Sequence, residues 1–320
     1  MSTPTVTLLA GGVGGAKAAE GLAKSRYAQN LSIIGNIGDD QSFYGLWVSP
    51  DIDTLTYTLS NQIDRQQGWG LKDDSHRVQA RLAQFGCANW MSLGDLDLAT
   101  HIYRTNQRQT GVRPQLIAQA IAKSFGVQAQ IILPTDDVVA TRLETELGWL
   151  DFQDYFVAQR CEPTLTQICY HKAEQAQPTP ESLAAIDRAD IIAIAPSNPL
   201  LSIGAILAIP HIKTQIQVKR APVVAVSPLI GGKAIKGPAA KILSELGIRP
   251  DALGIANYYR DLIDVLVIDS SDYHLKAEIE ALGIEVHCHP ILMMTEQEKV
   301  SVMEFAIARG LEHQQARLCA

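Results

Sequence analysis

The fold is decided by residues 6–36, which read VTLLAGGVGGAKAAEGLAKSRYAQNLSIIGN. The apolar run at 6–10 ends in glycines and is typical of a buried parallel strand. Residues 16–24 have helical character, and the apolar run at 31–34 indicates a second strand. A strand, a glycine turn, a helix and a strand in this order predict a βαβ unit.

Outside this unit, the spacing of apolar residues predicts further strands and a block of helices. We expect helices at 55–59, 75–85, 97–107, 114–125 and 296–311. We expect strands at 130–133, 138–145, 152–158, 191–195, 223–226, 265–268 and 283–287. The sequence therefore predicts one α/β domain over residues 1–320, with a doubly wound, mainly parallel sheet and a predominantly helical insertion at 54–128.

The composition excludes several classes of protein. Hydrophobic residues make up 47% of the 320 residues and charged residues 19%, which is enough apolar surface for a full core. The 27 Lys and Arg against 34 Asp and Glu give a net charge of −7, which argues against binding nucleic acid or an anionic membrane. Proline and polar residues interrupt the apolar stretch 191–210, and the five cysteines are widely spaced. With no signal-peptide pattern at the N-terminus, we expect a cytoplasmic protein with reduced thiols.

The glycine turn predicts a phosphate-binding site. Gly11, Gly12, Gly14 and Gly15 lie between a strand and a helix, where backbone N–H groups can approach a phosphate without a Cβ in the way. No Gly-Lys-Ser/Thr triplet follows, and Lys17 stands where the dinucleotide fingerprint needs its third glycine. A phosphate cradle is therefore favoured over a tight turn without a ligand, and a nicotinamide site is disfavoured.

Four carboxylates follow the second strand. Asp39 and Asp40 come directly after it, and Asp51 and Asp53 lie in the segment Pro-Asp-Ile-Asp-Thr a few residues later. Carboxylate oxygens suit Mg²⁺ that is bound together with substrate phosphates. Alternatively, Asp51 and Asp53 cap a helix while Asp39 and Asp40 face solvent. The group beside a phosphate loop predicts a shared metal site.

A predicted helix carries Asp97, His101 and Arg104 on one face, because they are spaced at i, i+4 and i+7. That face could hold a substrate hydroxyl or carboxylate. The same spacing is also expected of a charge network on the protein surface.

Two later loops offer further candidates. Ser197 and Asn198 follow the apolar strand at 191–195, at the strand end where open sheets bind ligands, although a turn uses the same residue types for geometry alone. Lys233 and Lys236 could neutralise phosphate charge or be solvated loop lysines.

Taken in order, the motifs closely resemble the 2-phospho-L-lactate transferases of coenzyme F420 biosynthesis. The matching segments cover nearly the whole chain: LAGGVGGAK, NIGDD, VSPDIDTLTYTLSNQIDR, WGL, LGDLDLATHIYRT, ILPTDD, FQDYFV, APSNPLLSIGAIL and VSPLIGGKAIKGPAAK. The resemblance implies a Rossmann-like α/β fold with a helical insertion, and a homodimer. It implies transfer of a phospholactyl or phosphoenolpyruvyl group from a guanosine diphosphate adduct to the terminal hydroxyl of the deazaflavin FO, with Mg²⁺ assisting and GMP leaving.

The resemblance also assigns roles to residues. Gly11, Gly12, Gly14 and Gly15, with Lys17, would hold the diphosphate. Asp53 with Asp40 or Asp39 would bind the metal, and Asp53 could instead orient the attacking hydroxyl. Ser197 and Asn198 would lie at the guanosine site, and Asp97, His101 and Arg104 near the acceptor or the phospholactyl group. A non-catalytic regulator that binds nucleotide sugars on the same fold remains the alternative.

Overall fold

The computed structural model describes residues 3–218, 221–234 and 237–319. The strands are β1 Val6–Ala10, β2 Leu31–Gly35, β3 Gln41–Phe43, β4 Leu46–Val48, β5 Gln130–Ile132, β6 Ala140–Thr145, β7 Gly148–Asp151, β8 Leu165–His171, β9 Ile191–Ile194, β10 Val223–Val226, β11 Leu229–Ile230, β12 Lys233–Ala234, β13 Val265–Ile268 and β14 Glu285–Cys288. The helices are α1 Gly12–Ala23, α2 Pro50–Leu59, α3 Arg77–Gln84, α4 Asp95–Gln109, α5 Pro114–Ser124, α6 Pro180–Arg188, α7 Gly204–Leu207, α8 Ile212–Val218, α9 Ala239–Glu245, α10 Ala252–Tyr259, α11 Lys276–Glu280 and α12 Glu296–Cys319.

A seven-stranded sheet in the order β14-β13-β10-β9-β1-β2-β5 forms the centre of the fold. Every neighbouring pair in it is parallel, and β1, β2, β9, β10 and β13 are buried along their whole length. Strands buried on both faces need continuous apolar runs, which is the pattern that predicted them. The α/β doubly wound fold is thus confirmed.

The strand order places a ligand site beside β1. The chain passes from β1 to β2 on one side, and later returns to β9 on the other side. At such a reversal the loops that follow the two strands diverge and leave a crevice at the carboxyl edge of the sheet. The glycine turn, the acidic segments after β2 and the loop after β9 all begin at this edge.

The connection between β2 and β5 carries the helices of the middle block. It consists of the short antiparallel hairpin β3–β4, then α2, α3, α4 and α5. Residues 152–158 were predicted to form a strand, and this is wrong, because Asp154–Ala158 forms a helical turn. Phe152 and Phe156 stack with ring centroids 5.4 Å apart, and residues four apart satisfy both strand alternation and a helical face. Residues Leu165–His171, for which we predicted no strand, form β8 beside β6.

Among the described residues, no single helix is long and apolar enough to cross a membrane. The pair Pro199–Leu207 and Ile212–Val218 meets the same criterion only when taken together, and it is bent by 84°.

Helix α1 is fastened to the C-terminal helix by a buried glutamate. The Glu20 side chain on α1 accepts hydrogen bonds from Lys24 (3.0 Å), from Lys299 on α12 (2.7 Å) and from both terminal nitrogens of Arg65 (2.7 and 2.8 Å). Burial opposes ionisation of this carboxyl, but the three cations outweigh it and lower the pKa of Glu20 to about 2. The cluster therefore holds α1, and with it the glycine turn, against the rest of the domain.

Replacing Glu20 with glutamine is expected to lower the free energy of unfolding by about 2–4 kcal/mol, because it leaves the buried Lys299 ammonium without its carboxylate. In the unchanged protein, this contribution is present above the ordinary glutamate pKa and is lost as the pH falls from about 5 toward the folded-state value of about 2. Urea unfolding at pH 7 and pH 4 measures both effects. Glu312→Gln, which removes an exposed pair with Arg309, is the control and should change stability by about 0.5 kcal/mol or less. An equal loss in both variants would contradict the role of Glu20.

Candidate active site

The glycine turn lies at the carboxyl edge of the sheet, between β1 and α1. Gly11 precedes the first residue of α1, Gly12, and the Gly15 N–H closes the first helical turn on the Gly11 carbonyl at 3.2 Å. The first N–H groups of a helix have no partner within it, and the helix dipole places positive charge there. The start of α1 is therefore where the sequence predicts that a phosphate binds, and phosphate binding there stays a prediction.

The turn has no room for a side chain at Gly11, Gly14 or Gly15. A Cβ on Gly14 would lie 2.3 Å from the carbonyl oxygen of Pro196, in the loop after β9. A Cβ on Gly11 would lie 2.6 Å from Ser202 Cβ and 2.7 Å from Asp51 Oδ2. The glycines thus let the start of α1 contact both the loop after β9 and the acidic segment of α2.

Replacing Gly14 with alanine is expected to push the first turn of α1 away from the loop after β9, because the backbone carbonyl it would meet cannot move aside alone. We expect about 1–3 kcal/mol less stability and a rise in the KM for the phosphate-bearing substrate. Thermal unfolding and steady-state kinetics measure the two effects. Gly111→Ala is the control, because an added Cβ there meets nothing within 4 Å and only the strain of a φ of +82° remains. An unchanged KM in Gly14→Ala would contradict the predicted role of the turn.

Ser197 and Asn198 lie at the expected edge, and their oxygens hold the loop itself. Ser197 Oγ accepts from the Gly11 N–H at 3.2 Å and donates to the Gly11 carbonyl at 2.8 Å. Asn198 Oδ1 accepts from the N–H groups of Leu200 and Leu201, both at 3.0 Å. These bonds are those of a capped turn, so a contact of either side chain with guanosine stays a prediction.

The three lysines that were candidates for contacting phosphate have different environments. Lys17 is half-buried and interacts electrostatically with Glu298 of α12. Lys233 is exposed, and Lys236 lies outside the described residues. None of these placements tests phosphate binding.

A first pair of carboxylates lies against the glycine turn. Asn36, directly after β2, donates from Nδ2 to Asp51 Oδ2 at 2.9 Å and accepts from the Gly38 N–H at 2.8 Å. Burial raises the pKa of Asp51, although a hydrogen bond from the Gly12 N–H opposes the rise. Burial, and next the charge of Asp51, raise the pKa of Asp39 well above its usual range. Asp51 does not cap its own helix, α2, but accepts from the Gly12 N–H at the start of α1, and Asp39 is buried, so the predicted cap on α2 and the predicted solvent exposure of Asp39 are wrong.

Asp40 forms the next part of the site. Its Oδ2 accepts from Ser49 Oγ at 2.7 Å and from Trp47 Nε1 at 3.1 Å. Burial is nevertheless the largest influence and raises the pKa of Asp40 to about 7. The sequence-based alternative, a solvated Asp40, does not describe this carboxyl.

The polar face of α4 packs onto α2 and does not form a surface network. Both terminal nitrogens of Arg104 donate to the two carboxylate oxygens of Asp53, and both residues are buried. His101, 1% exposed, has Nδ1 3.7 Å from Asp53 Oδ2 and Nε2 3.3 Å from Asp97 Oδ2. Tyr57 on α2 donates to Asp97 at 2.6 Å. The structure therefore brings together the four residues predicted to be catalytic: Asp53, Asp97, His101 and Arg104.

The predicted metal ligands do not form one group. Among residues 3–218, 221–234 and 237–319, the three ligand residues whose atoms lie within 4.8 Å of one another are Asp53, Asp97 and His101. The Asp53 carboxylate is already neutralised by Arg104. In contrast, Asp39 Oδ1 and Asp40 Oδ1 are buried without a hydrogen-bond partner among the described residues.

Buried oxygens without partners fit a hard divalent cation. An unpaired buried carboxylate is costly unless a counter-charge reaches it. Thr141 Oγ1, which lies against Gly38, is a third buried oxygen for which the described part of the chain supplies no partner. Mg²⁺ takes such oxygens together with water and phosphate oxygens. Asp39 and Asp40 therefore fit the ion, whereas Asp53 fits it only if Arg104 moves away.

Sequence reasoning missed several residues of this site. Asn36 follows β2 directly, Tyr57 lies one helical turn after Asp53, and Trp47 lies on β4. Arg108 continues the α4 stripe one turn beyond Arg104. The sequence shows that Tyr57 and Arg108 lie one helical turn from the predicted residues Asp53 and Arg104. No pattern in the sequence distinguishes Trp47 from a core tryptophan.

Comparison with known proteins gives a consistent result. The model of the family described as 2-phospho-L-lactate transferase CofD matches residues 6–306. A phosphoenolpyruvate transferase of Streptomyces griseus is 37% identical over 304 residues, covering 93% of this chain and 95% of that protein. A 2-phospho-L-lactate transferase of Methanosarcina acetivorans is 34% identical over 300 residues, covering 94% and 97%. A crystal structure of a UPF0052-family protein of Bacillus halodurans covers 95% of this chain and 99% of its own with a TM-score of 0.64, and at 14% identity it shows the fold alone.

Proposed function

Because the chain belongs to the CofD family of 2-phospho-L-lactate transferases and is a transferase of phospholactate or phosphoenolpyruvate, we propose the full reaction that it catalyses. The donor is a guanosine diphosphate that carries lactate or enolpyruvate on its terminal phosphate. The acceptor is the terminal hydroxyl of the deazaflavin FO. The observation that supports this best is the pair of unpartnered buried oxygens on Asp39 and Asp40, in the segment that leads from β2 to Asp51, whose carboxylate lies against the glycine turn.

The chemistry is a displacement at phosphorus. The acceptor oxygen forms a bond to the distal phosphorus, and the bond from that phosphorus to the bridging oxygen breaks. GMP leaves with the electron pair, and the hydroxyl proton passes to a base or to water. Such a reaction needs positioning and charge neutralisation more than a covalent nucleophile.

The residues of the site divide these tasks. The N–H groups of the first turn of α1 that follow Gly12, whose own N–H is bound to Asp51, hold the diphosphate oxygens, and the loop after β9 holds Gly11 in place. Asp39 and Asp40 would hold Mg²⁺, which when bound neutralises charge on the diphosphate and on the departing GMP. The Asp53–Arg104 pair holds α4 over this edge and keeps His101 and Asp97 in place. His101 Nε2 lies 3.3 Å from Asp97 Oδ2, and this buried pair orients the acceptor hydroxyl.

The test is a reconstituted reaction. Purified protein with FO, Mg²⁺ and either the lactyl or the enolpyruvyl donor should give one FO product with the added phosphate group and one GMP per turnover. Chromatography with mass detection identifies both products and shows which donor is used. No GMP and no FO product with either donor would contradict the proposal.

The relatives leave the choice of donor open, because those named phosphoenolpyruvate transferase and those named 2-phospho-L-lactate transferase are similarly close at 37% and 34% identity. The non-catalytic regulator considered from the sequence has no comparable support. The homodimer, the cytoplasmic location and the use of Mg²⁺ stay predictions.

A further inference from the structure

Helix α4 carries a fourth polar residue on the face that lines the site. Arg108 is spaced four residues from Arg104 and seven from His101, so it continues the same stripe. The residues before it on this face already contact other side chains, since Arg104 binds Asp53 and His101 lies between two carboxylates. In the described part of the chain, no carboxylate lies within 4.0 Å of the Arg108 guanidinium, although Asp40 and Asp136 attract it from further away.

The indole ring of Trp47 lies between Arg108 and Asp40. The guanidinium carbon of Arg108 is 4.3 Å from the centroid of the Trp47 ring. The other end of that indole donates to Asp40 at 3.1 Å, and the Trp47 backbone N–H donates to Thr105 Oγ1 at 2.7 Å. Because Trp47 is fixed at both points, the spacing between Arg108 and Asp40 is fixed as well.

Asp40, Trp47 and Arg108 line one small crevice. Its other walls are apolar residues, Ile37, Leu133 and Val139 among them, together with Thr135, Asp137 and Asp136, which is paired with Arg113, and its volume is about 10 Å³. That volume takes roughly one water-sized group, so it can admit a single oxygen atom of a ligand and excludes a ring system. A half-buried guanidinium at the rim of such a crevice is suited to a planar anion that it can grip with two N–H groups.

We propose that Arg108 is a specificity-determining residue that binds the carboxylate of the three-carbon acid on the transferred phosphate. This inference rests on the proposed function. The acid is joined to the distal phosphorus through one ester oxygen, so its carboxylate lies a few bonds from the phosphate held beside Asp40. The diphosphate has the glycine turn as its anion site, which leaves Arg108 for the second negative group of the donor.

The experiment compares two donors in each variant. One is the lactyl donor, and the other is its lactamide analogue, in which a neutral carboxamide replaces the carboxylate. We expect the wild type to prefer the carboxylate donor by about 100-fold in kcat/KM, and Arg108→Gln to reduce that preference to a few-fold. Arg108→Lys should retain part of it, because the charge stays while the two-point contact is lost. Arg188→Gln, an exposed arginine on α6, is the control and should keep the full preference.

The ratio of the two donors within one variant does not depend on how much of that variant is folded. A preference in Arg108→Gln that equals the wild-type preference overturns the assignment, even if total activity has fallen. Loss of preference with the lactamide rate unchanged supports it. If the wild type turns over neither lactyl nor enolpyruvyl donor, the proposed function itself has failed, and the inference falls with it.

Discussion

Replacing Asp53 with asparagine is expected to reduce kcat/KM by about 100-fold or more and to lower the free energy of unfolding by about 3–5 kcal/mol. Asp53 accepts from both terminal nitrogens of Arg104, and all of these atoms are buried. The variant leaves the guanidinium without its counter-charge, and α4 loses the contact that places His101 and Asp97. Steady-state kinetics and urea unfolding measure the two losses.

A double variant separates activity from stability. Asp53→Asn with Arg104→Met removes both charges, so we expect stability to recover toward the wild-type value while activity stays low. The control is Asp261→Asn, an exposed aspartate, which should change neither quantity. Wild-type activity in Asp53→Asn would show that the ion pair has no part in catalysis. Recovery of activity in the double variant would show that the pair acts only through stability.

Replacing Asp39 or Asp40 with asparagine should have the opposite effect on stability. Burial raises the pKa of Asp40 to about 7 and that of Asp39 well above its usual range, so ionisation of either group disfavours the folded state without a cation. We expect each variant to be about 0.5–2 kcal/mol more stable than the wild type at pH 8, and to lose about 100-fold or more of kcat. A variant that is both stable and active would contradict the metal assignment.

The pH dependence of the free energy of unfolding follows from the raised pKa of Asp40. For an acid whose folded-state pKa is raised, stability is highest below the unfolded-state value and falls as the pH rises toward the folded-state value. For Asp40 the window runs from 3.8 to about 7. Unfolding of the metal-free protein across this range should show a decline that is smaller in Asp40→Asn. An identical slope in the two proteins would contradict the raised pKa.

The sequence predicted the parts of the fold that depend on local pattern. Buried parallel strands need continuous apolar runs, and the glycine turn needs residues without a Cβ, so β1, α1 and β2 could be placed from residues 6–36 alone. The stripe on α4 was equally visible, because helical spacing fixes which side chains share a face. The strand predicted at Phe152 and Phe156 is wrong, because a spacing of four residues fits both the alternation of a strand and one face of a helix.

The grouping of the carboxylates could not be predicted in the same way. Asp39, Asp40, Asp51 and Asp53 are close in sequence, but their partners come from distant elements. Arg104 lies 51 residues after Asp53 and neutralises it, whereas Asp39 and Asp40 each keep a buried oxygen that no described residue contacts by a hydrogen bond. Which aspartate is available to an ion thus depends on tertiary packing, whereas the resemblance implied Asp53, with Asp40 or Asp39, as the metal ligands.

The central claim is that Asp39 and Asp40 hold a divalent cation against a diphosphate at the glycine turn. Calorimetric titration with premixed Mg²⁺ and GDP at pH 7, in two buffers of different ionisation enthalpy, tests it most directly. Because burial raises the pKa of Asp40 to about 7, we expect cation binding to release protons, and the double variant Asp39→Asn with Asp40→Asn should bind weakly and release none. Tight binding without proton release, or equal binding by the double variant, would contradict the account.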